Sequence, residues 1–120
     1  MDTHLEDANA CYARGVALAT EQHYDDAIEQ YRKADALWGA AKSNDRKFAL
    51  WNWGSALYSK GLYQEAAEKF REAITVDADY ADAYTGLGAA LAAQENYDAA
   101  IEQYRKADTL WGAHGCPVEF

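Results

Sequence analysis

Small and bulky apolar residues alternate along this chain at steps of three and four, in three copies of one frame. Each copy has a tyrosine, an alanine three residues on, an aromatic four further and another alanine three beyond it. These are Tyr24, Ala27, Tyr31 and Ala34; Tyr63, Ala66, Phe70 and Ala73; and Tyr97, Ala100, Tyr104 and Ala107. Such steps put the residues on one face of an α-helix, which turns once every ~3.6 residues. A second helical segment precedes each copy: CYARGVALATEQ, LWNWGSALYSKG and YTGLGAALAAQE, holding Gly15, Gly54 and Gly88 at matching places. The pattern predicts six helices in three hairpins and an all-α chain.

The repeat is closest between IEQYRKADALWGA (Ile28 to Ala40) and IEQYRKADTLWGA (Ile101 to Ala113), 73 residues apart and differing only at Ala36 and Thr109. The aligned glycines lie 39 and 34 residues apart, so one spacing is plain and the other carries five extra residues. The polar, turn-prone stretch GAAKSNDRK, Gly39 to Lys47, is the only place for them, and we assign the insertion to 42–46. The expected organisation is one domain, 1–120, with repeats at about 8–41, 47–80 and 81–114 and a tail at 115–120.

These motifs resemble the tetratricopeptide repeat, a helix-turn-helix unit of ~34 residues with W-x2-L-G-x2-Y in its first helix and A-x3-F in its second. The third copy matches best, through Tyr84, Leu87, Gly88 and Leu91; the second has Leu50, Trp53, Gly54 and Leu57 in those roles. The first has Cys11, Arg14, Gly15 and Leu18, and its Arg14 departs from the leucine of the pattern. The resemblance implies a right-handed superhelical stack of three antiparallel hairpins, an α-solenoid whose first helices line a concave groove that binds a peptide or a partner helix.

On the first helix of the middle repeat, Leu50, Trp53 and Leu57 form a core stripe. The resemblance points Phe48, Trp51, Ser55 and Tyr58, with Asn52 beside them, into the groove. The same face of the first repeat offers Asn9, Tyr12, Val16 and Ala19, and that of the third offers Asp82, Thr85, Ala89 and Ala92. Chaperone-binding members of the family hold a terminal carboxylate with Lys, Asn and Arg. Of that set only Asn52 has a counterpart, since Tyr12, Val16, Asp82 and Gly86 stand at the other places. An acidic chaperone tail is therefore disfavoured, and an apolar or basic segment of a protein partner suits the groove.

The residues also predict packing. A glycine inside a helix costs about 1 kcal/mol relative to alanine, so three at matching places imply backbones too close for a side chain. Tyr31, Phe70 and Tyr104 then fill the space between hairpins. Thr3 with Glu6 makes a capping box, Gly61 ends a helix in the left-handed conformation, and Asn44 and Asp79 are candidate caps. Glu29 with Lys33, Glu65 with Lys69 and Glu102 with Lys106 read as solvated pairs one turn apart.

Charge and composition narrow the partners. Eleven basic against twenty acidic residues give a net charge of −9, which opposes phosphate backbones and anionic membranes; neither nucleic acid nor membrane is expected as a partner. No apolar run approaches the ~20 residues of a bilayer span, and the start has no signal-peptide pattern, so a cytoplasmic location is the expectation. Cys11 and Cys116, with His4, His23 and His114, form neither a disulfide framework nor metal-ligand spacing, and no nucleophile, acid-base pair or phosphate loop converges. The expectation is a non-enzyme with no catalytic site, cofactor or metal.

Trp38-Gly39 and Trp111-Gly112 replace the acidic residue and proline that usually end these repeats. Trp38 should be covered by the next hairpin. Trp111, with Tyr104 on the same helix, is a candidate contact for self-association, which makes a homodimer through the C-terminal face the alternative to groove binding.

Overall fold

The repeated helical frame produces six α-helices in the computed structural model, which describes the backbone of residues 3–113 and the side chains of 6–112. They are α1 (Thr3–Thr20), α2 (Tyr24–Ala40), α3 (Arg46–Ser59), α4 (Tyr63–Val76), α5 (Ala81–Ala93) and α6 (Tyr97–Ala113). Helices pair in sequence as α1 with α2, α3 with α4 and α5 with α6. Each hairpin stacks on the next through α2 against α3 and α4 against α5, while α1, α3 and α5 lie side by side. The side chains of Thr3 and His4, and both His114 and Cys116, lie outside the described residues.

Each hairpin turns on the same device. The N–H groups of His23, Leu62 and Asn96 donate to the carbonyls of Leu18, Leu57 and Leu91 at 2.8, 2.9 and 2.9 Å. The preceding residue in each case bonds back three positions, completing a Schellman ending. That preceding residue has positive φ: Gln22 at 64°, Gly61 at 82° and Glu95 at 63°. Only the middle turn uses the residue that adopts this conformation freely. Glu95→Gly is therefore expected to raise stability by about 0.5–1 kcal/mol, read as a higher urea midpoint with unchanged helicity.

The helix starts differ from expectation. The cap positions of α3 and α5 are Asp45 and Tyr80, neither of which makes a side-chain capping bond, so Asn44 and Asp79 are not the caps. The connection to α5 is tied down by Asp77 instead. Its carboxylate accepts from Lys47 Nζ at 2.5 Å and from the Asp79 N–H at 3.0 Å. The Lys47 bond, with the backbone bond after it, holds the Asp77 carboxyl below the usual aspartate range. The charged pairs also differ: Glu29 pairs with Arg32 rather than Lys33, and Lys69 with Glu72 rather than Glu65, each three residues apart. Lys69 further places its ammonium 3.8 Å from the centroid of the Trp53 ring.

The connection that carries the five extra residues is part helix and part turn, since α2 runs on to Ala40 and α3 begins at Arg46. The second helix of the first hairpin has 17 residues and that of the second has 14, so most of the additional length is nearly another turn of α2. That turn carries Trp38 into a pocket among Ala8, Ala34 and Ala49, where it is 2% exposed. Residues from α1, α2 and α3 meet there, so the tryptophan is covered by the next hairpin as expected.

The helix glycines serve aromatic rings rather than approaching backbones. A Cβ on Gly15 would lie 2.5 Å from the Tyr31 ring, one on Gly54 2.8 Å from Phe70, and one on Gly88 2.8 Å from Tyr104. Phe70 meets a second glycine on α5, where a Cβ on Gly86 would come within 2.5 Å of the same ring edge. One ring thus locks α4 between α3 and α5, and it anchors the largest buried cluster with Leu57, Leu87 and Leu91.

Candidate functional site

The side-by-side packing of α1, α3 and α5 sets five of the candidate groove residues, Val16, Asn52, Ser55, Tyr58 and Ala89, around two neighbouring cavities. Between α1 and α3 lies a cavity of about 290 Å³ bordered by Val16, Ala19, Tyr31, Asn52, Ser55 and Ser59. Between α3 and α5 lies another of about 200 Å³, bordered by Ser55, Tyr58, Ser59, Phe70, Gly86 and Ala89. Ser55 and Ser59 border both, so the two lie side by side across the three helices, and the pair is called the trough. Its size falls at the low end of the usual range for ligand pockets, and it is open rather than enclosed.

Local sequence explains the shape of that trough. Small residues at Ala19, Ser55, Ser59, Gly86 and Ala89 leave its floor low, and the rings of Tyr31 and Phe70 close its ends from behind. Gly86 is needed twice, because it both admits Phe70 and keeps the floor open. The floor carries no carboxylate, ammonium or guanidinium. Its Tyr31 phenol is pushed up to about 12, mainly by burial and then by Tyr12, so it stays protonated at neutral pH.

The aromatic candidates are held more firmly than the sequence suggests. Tyr12 stands between Tyr31 and Trp38, at centroid distances of 6.2 and 5.5 Å, and its hydroxyl accepts from Asn52 Nδ2 at 2.9 Å. Burial raises the Tyr12 phenol and the Asn52 bond opposes that shift. Asn52 donates again to the Phe48 carbonyl at 2.8 Å, so its amide is committed within the protein. Trp51 donates its indole N–H to the Asp82 carbonyl at 2.9 Å, bridging α3 to α5. Phe48 packs edge-on to Tyr80 at 5.6 Å, and Tyr58 edge-on to Tyr63 at 5.0 Å.

Val16 and Tyr58 are the large apolar residues exposed on this face. Asn9 and Asp82 are exposed near its edges, Ala89 reaches the floor, and Thr85 donates its hydroxyl to the Ala81 carbonyl at 3.4 Å. Sequence reasoning missed Ser59 and Gly86. Ser59 lies one turn after Ser55 and shares its face, which a helical step from Ser55 could have revealed. The Gly86 signal was its place beside the third-repeat glycine, meaningful only once Phe70 is known to reach it.

Tyr104 and Trp111 lie elsewhere, on α6. Tyr104 is 37% exposed and Trp111 half-buried, whereas their counterparts Tyr31 and Trp38 on α2 are 1% and 2% exposed. No described helix is long and apolar enough to cross a membrane.

Three helical hairpins stacked in chain order define an α-solenoid of short repeats. The chain belongs to the tetratricopeptide repeat family: the family model "Tetratricopeptide repeat" matches residues 8–37 and 81–110, and the model "TPR repeat" matches 54–95. A barley (Hordeum vulgare) relative, the probable UDP-N-acetylglucosamine–peptide N-acetylglucosaminyltransferase SPINDLY, is 31% identical over 107 residues. The match covers 86% of this chain but 11% of that protein, so the chain spans about a tenth of the relative's length. Among solved structures, the TPR domain of Arabidopsis FLU superposes with a TM-score of 0.85 at 16% identity, covering 92% of this chain and 98% of that one. The first TPR of Spaghetti (RPAP3), bound to the HSP90 peptide SRMEEVD, gives 0.80 at 22% identity, covering 88% and 80%. These likenesses show the fold, a stack of TPR helical hairpins.

Proposed function

We propose that this protein is an interaction scaffold that holds an extended or helical segment of a partner protein in the trough across α1, α3 and α5. The observation that carries this reading is the adjacency of the two cavities, which share Ser55 and Ser59, with exposed Val16 and Tyr58 beside an uncharged floor. Apolar side chains of the partner would enter the cavities, and its backbone would lie over the hydroxyl-rich middle. The net charge of −9 favours a partner segment flanked by lysine or arginine, through long-range steering rather than contacts on the floor. Asn9, Tyr12, Phe48, Trp51, Asn52, Asp82 and Thr85 complete the proposed surface, with Tyr12, Trp51 and Asn52 acting mainly to hold its shape.

The peptide seen with the Spaghetti domain offers a contrast. Tyr12, Val16, Asp82 and Gly86 supply no cation where chaperone-binding relatives carry a carboxylate clamp. SRMEEVD is accordingly expected to give no saturable binding in isothermal titration.

A displayed peptide library selected on the full chain is expected to yield apolar sequences with net positive charge. Ser55→Arg, which fills the junction of the cavities and adds like charge, should weaken the selected peptides by roughly tenfold or more while the melting temperature stays within a few degrees. Selected peptides indifferent to Ser55→Arg, or uniformly acidic ones, would refute the trough reading.

A further inference from the structure

The outer face of α6 repeats, residue for residue, a face that α2 uses to receive a helix. Over 17 residues the two helices differ only at Asp26, which is Ala99 in α6, and at Ala36, which is Thr109. On α2 that face is occupied by α3, running antiparallel. Arg46 Nε donates to Asp35 Oδ1 at 2.6 Å, and Lys60, just past the end of α3, pairs with Asp25. Between those two ion pairs Ala49 packs with Ala34 and Trp38, Ala56 packs with Tyr31, and Trp53 lies against Ile28 and Tyr31.

Every acceptor group recurs on α6. Asp98, Ile101, Tyr104, Asp108 and Trp111 stand where α2 has Asp25, Ile28, Tyr31, Asp35 and Trp38. Yet Ile101 is 49% exposed and Tyr104 37%. The remaining interface between hairpins is built differently, with Gln64 and Ile74 of α4 at the places of Asp25 and Asp35, and Gln94 and Tyr80 at those of Lys60 and Arg46. The doubly acidic face is therefore shared by α2 and α6, not common to all three second helices.

We infer that the outer face of α6 is a docking surface, separate from the trough, for a helix of a partner protein with the chemistry of α3. Such a helix carries a basic residue at each end, fourteen positions apart as Arg46 and Lys60 are, with a small-Trp-small stripe between them. A second copy of this chain is a poor occupant. In α1, the helix with an open face, Asp7 and Glu21 stand where α3 has Arg46 and Lys60. Head-to-tail stacking on α6 would therefore set Asp7 against Asp108 and Glu21 against Asp98. An antiparallel pair of α6 helices centred on Ile101 and Tyr104 would bring the acidic ends together as well. Exchange of α3 between chains uncovers an α2 face for each α6 face it covers, so nothing is gained. Like charges at these places oppose self-assembly, as charged positions do in other specific helix pairs.

The test uses the full chain and a hydrocarbon-stapled peptide of residues 46–60, because an unconstrained helix of that length is only marginally formed in water. The peptide is expected to bind saturably by fluorescence anisotropy and to shift the NMR signals of Tyr97, Ile101 and Tyr104. Asp98→Lys with Asp108→Lys should weaken binding by about tenfold, as should Arg46→Asp with Lys60→Glu in the peptide. Combining the reversed protein with the reversed peptide should restore affinity, an outcome that loss of folding cannot mimic. Absence of binding, affinity indifferent to both reversals, or shifts confined to α2 or to Val16 and Tyr58 of the trough would overturn the inference. So would a dimer of the free chain in sedimentation that Ile101→Arg dissociates. The stapled peptide reads α6 and the library peptides read Ser55, so either proposal can fail without the other.

Discussion

Trp38→Ala is expected to destabilise the protein by about 3–5 kcal/mol, whereas the same change at Trp111, in a stretch nearly identical in sequence, should cost below about 1.5 kcal/mol. Trp38 is enclosed by α1, α2 and α3, packing on Ala8, Ala34 and Ala49 with Cys11, Tyr12 and Leu37 around them. Alanine would leave a hole bounded by three helices that cannot collapse together, since the Arg46–Asp35 pair and the turn from 41 to 45 fix their spacing. Trp111 is half-buried, so water already meets part of its ring and less transfer energy is lost. The buried indole N–H of Trp38 has no hydrogen-bond partner among the described residues, which gives the experiment a second arm. Trp38→Phe removes that unsatisfied donor along with some volume, and should cost at least ~2 kcal/mol less than Trp38→Ala. Urea midpoints of the three variants decide the matter. Equal losses at positions 38 and 111 would mean that α6 is covered in solution, by whatever means.

The same comparison shows how much could be read from the chain. Six helices and three hairpins were legible because the alternation of small and aromatic residues is local and repeats three times, each copy reinforcing the others. Gly61 was legible as a helix ending for a local reason too, but Gln22 and Glu95 adopt the same left-handed turn without advertising it. What escaped depends on residues far apart in sequence. Arg46 meets Asp35, and Lys60 meets Asp25, only because α3 lies antiparallel on an α2 lengthened by nearly a turn. The polar stretch GAAKSNDRK left open whether the extra residues lengthen a helix or a loop, and it is the packing of Trp38 that carries α2 on through Ala40. Trp51 read as a freely presented groove residue, and its bond to Asp82 exists only because Gly86 lets α5 close on the Phe70 ring. For that reason the trough is tested through Ser55, which no hydrogen bond or aromatic stack between α3 and α5 requires.

Glycine-to-alanine changes at two neighbouring positions of α5 should have opposite signs. In a helix interior alanine is favoured over glycine by about 1 kcal/mol, so any loss at such a site measures a steric conflict larger than that. An alanine at 86 would set its methyl 2.5 Å from Cε1 of Phe70, and the ring has little room to move, because Gly54 of α3 meets the same ring edge with only 2.8 Å for a methyl there. Phe70 is 2% exposed and sits within the largest buried cluster, so α5 itself must move, parting the third hairpin from the second. Gly86→Ala is therefore expected to destabilise by about 1–3 kcal/mol. An alanine at 88 faces the Tyr104 ring at 2.8 Å, a similar conflict on paper. That ring is 37% exposed, against 2% for Phe70, so it can tilt away. Gly88→Ala should consequently be neutral or stabilising by up to about 1 kcal/mol. Phe70→Leu supplies the control: it removes the ring edge, so Gly86→Ala added to it should cost at least ~1 kcal/mol less than in the wild-type background, a coupling that urea melts of the four proteins would reveal. Additive losses would place the conflict at 86 with the backbone of α3 rather than with the ring. The trough floor would then be set by helix spacing alone, and its depth would no longer depend on the pairing of Gly86 with Phe70.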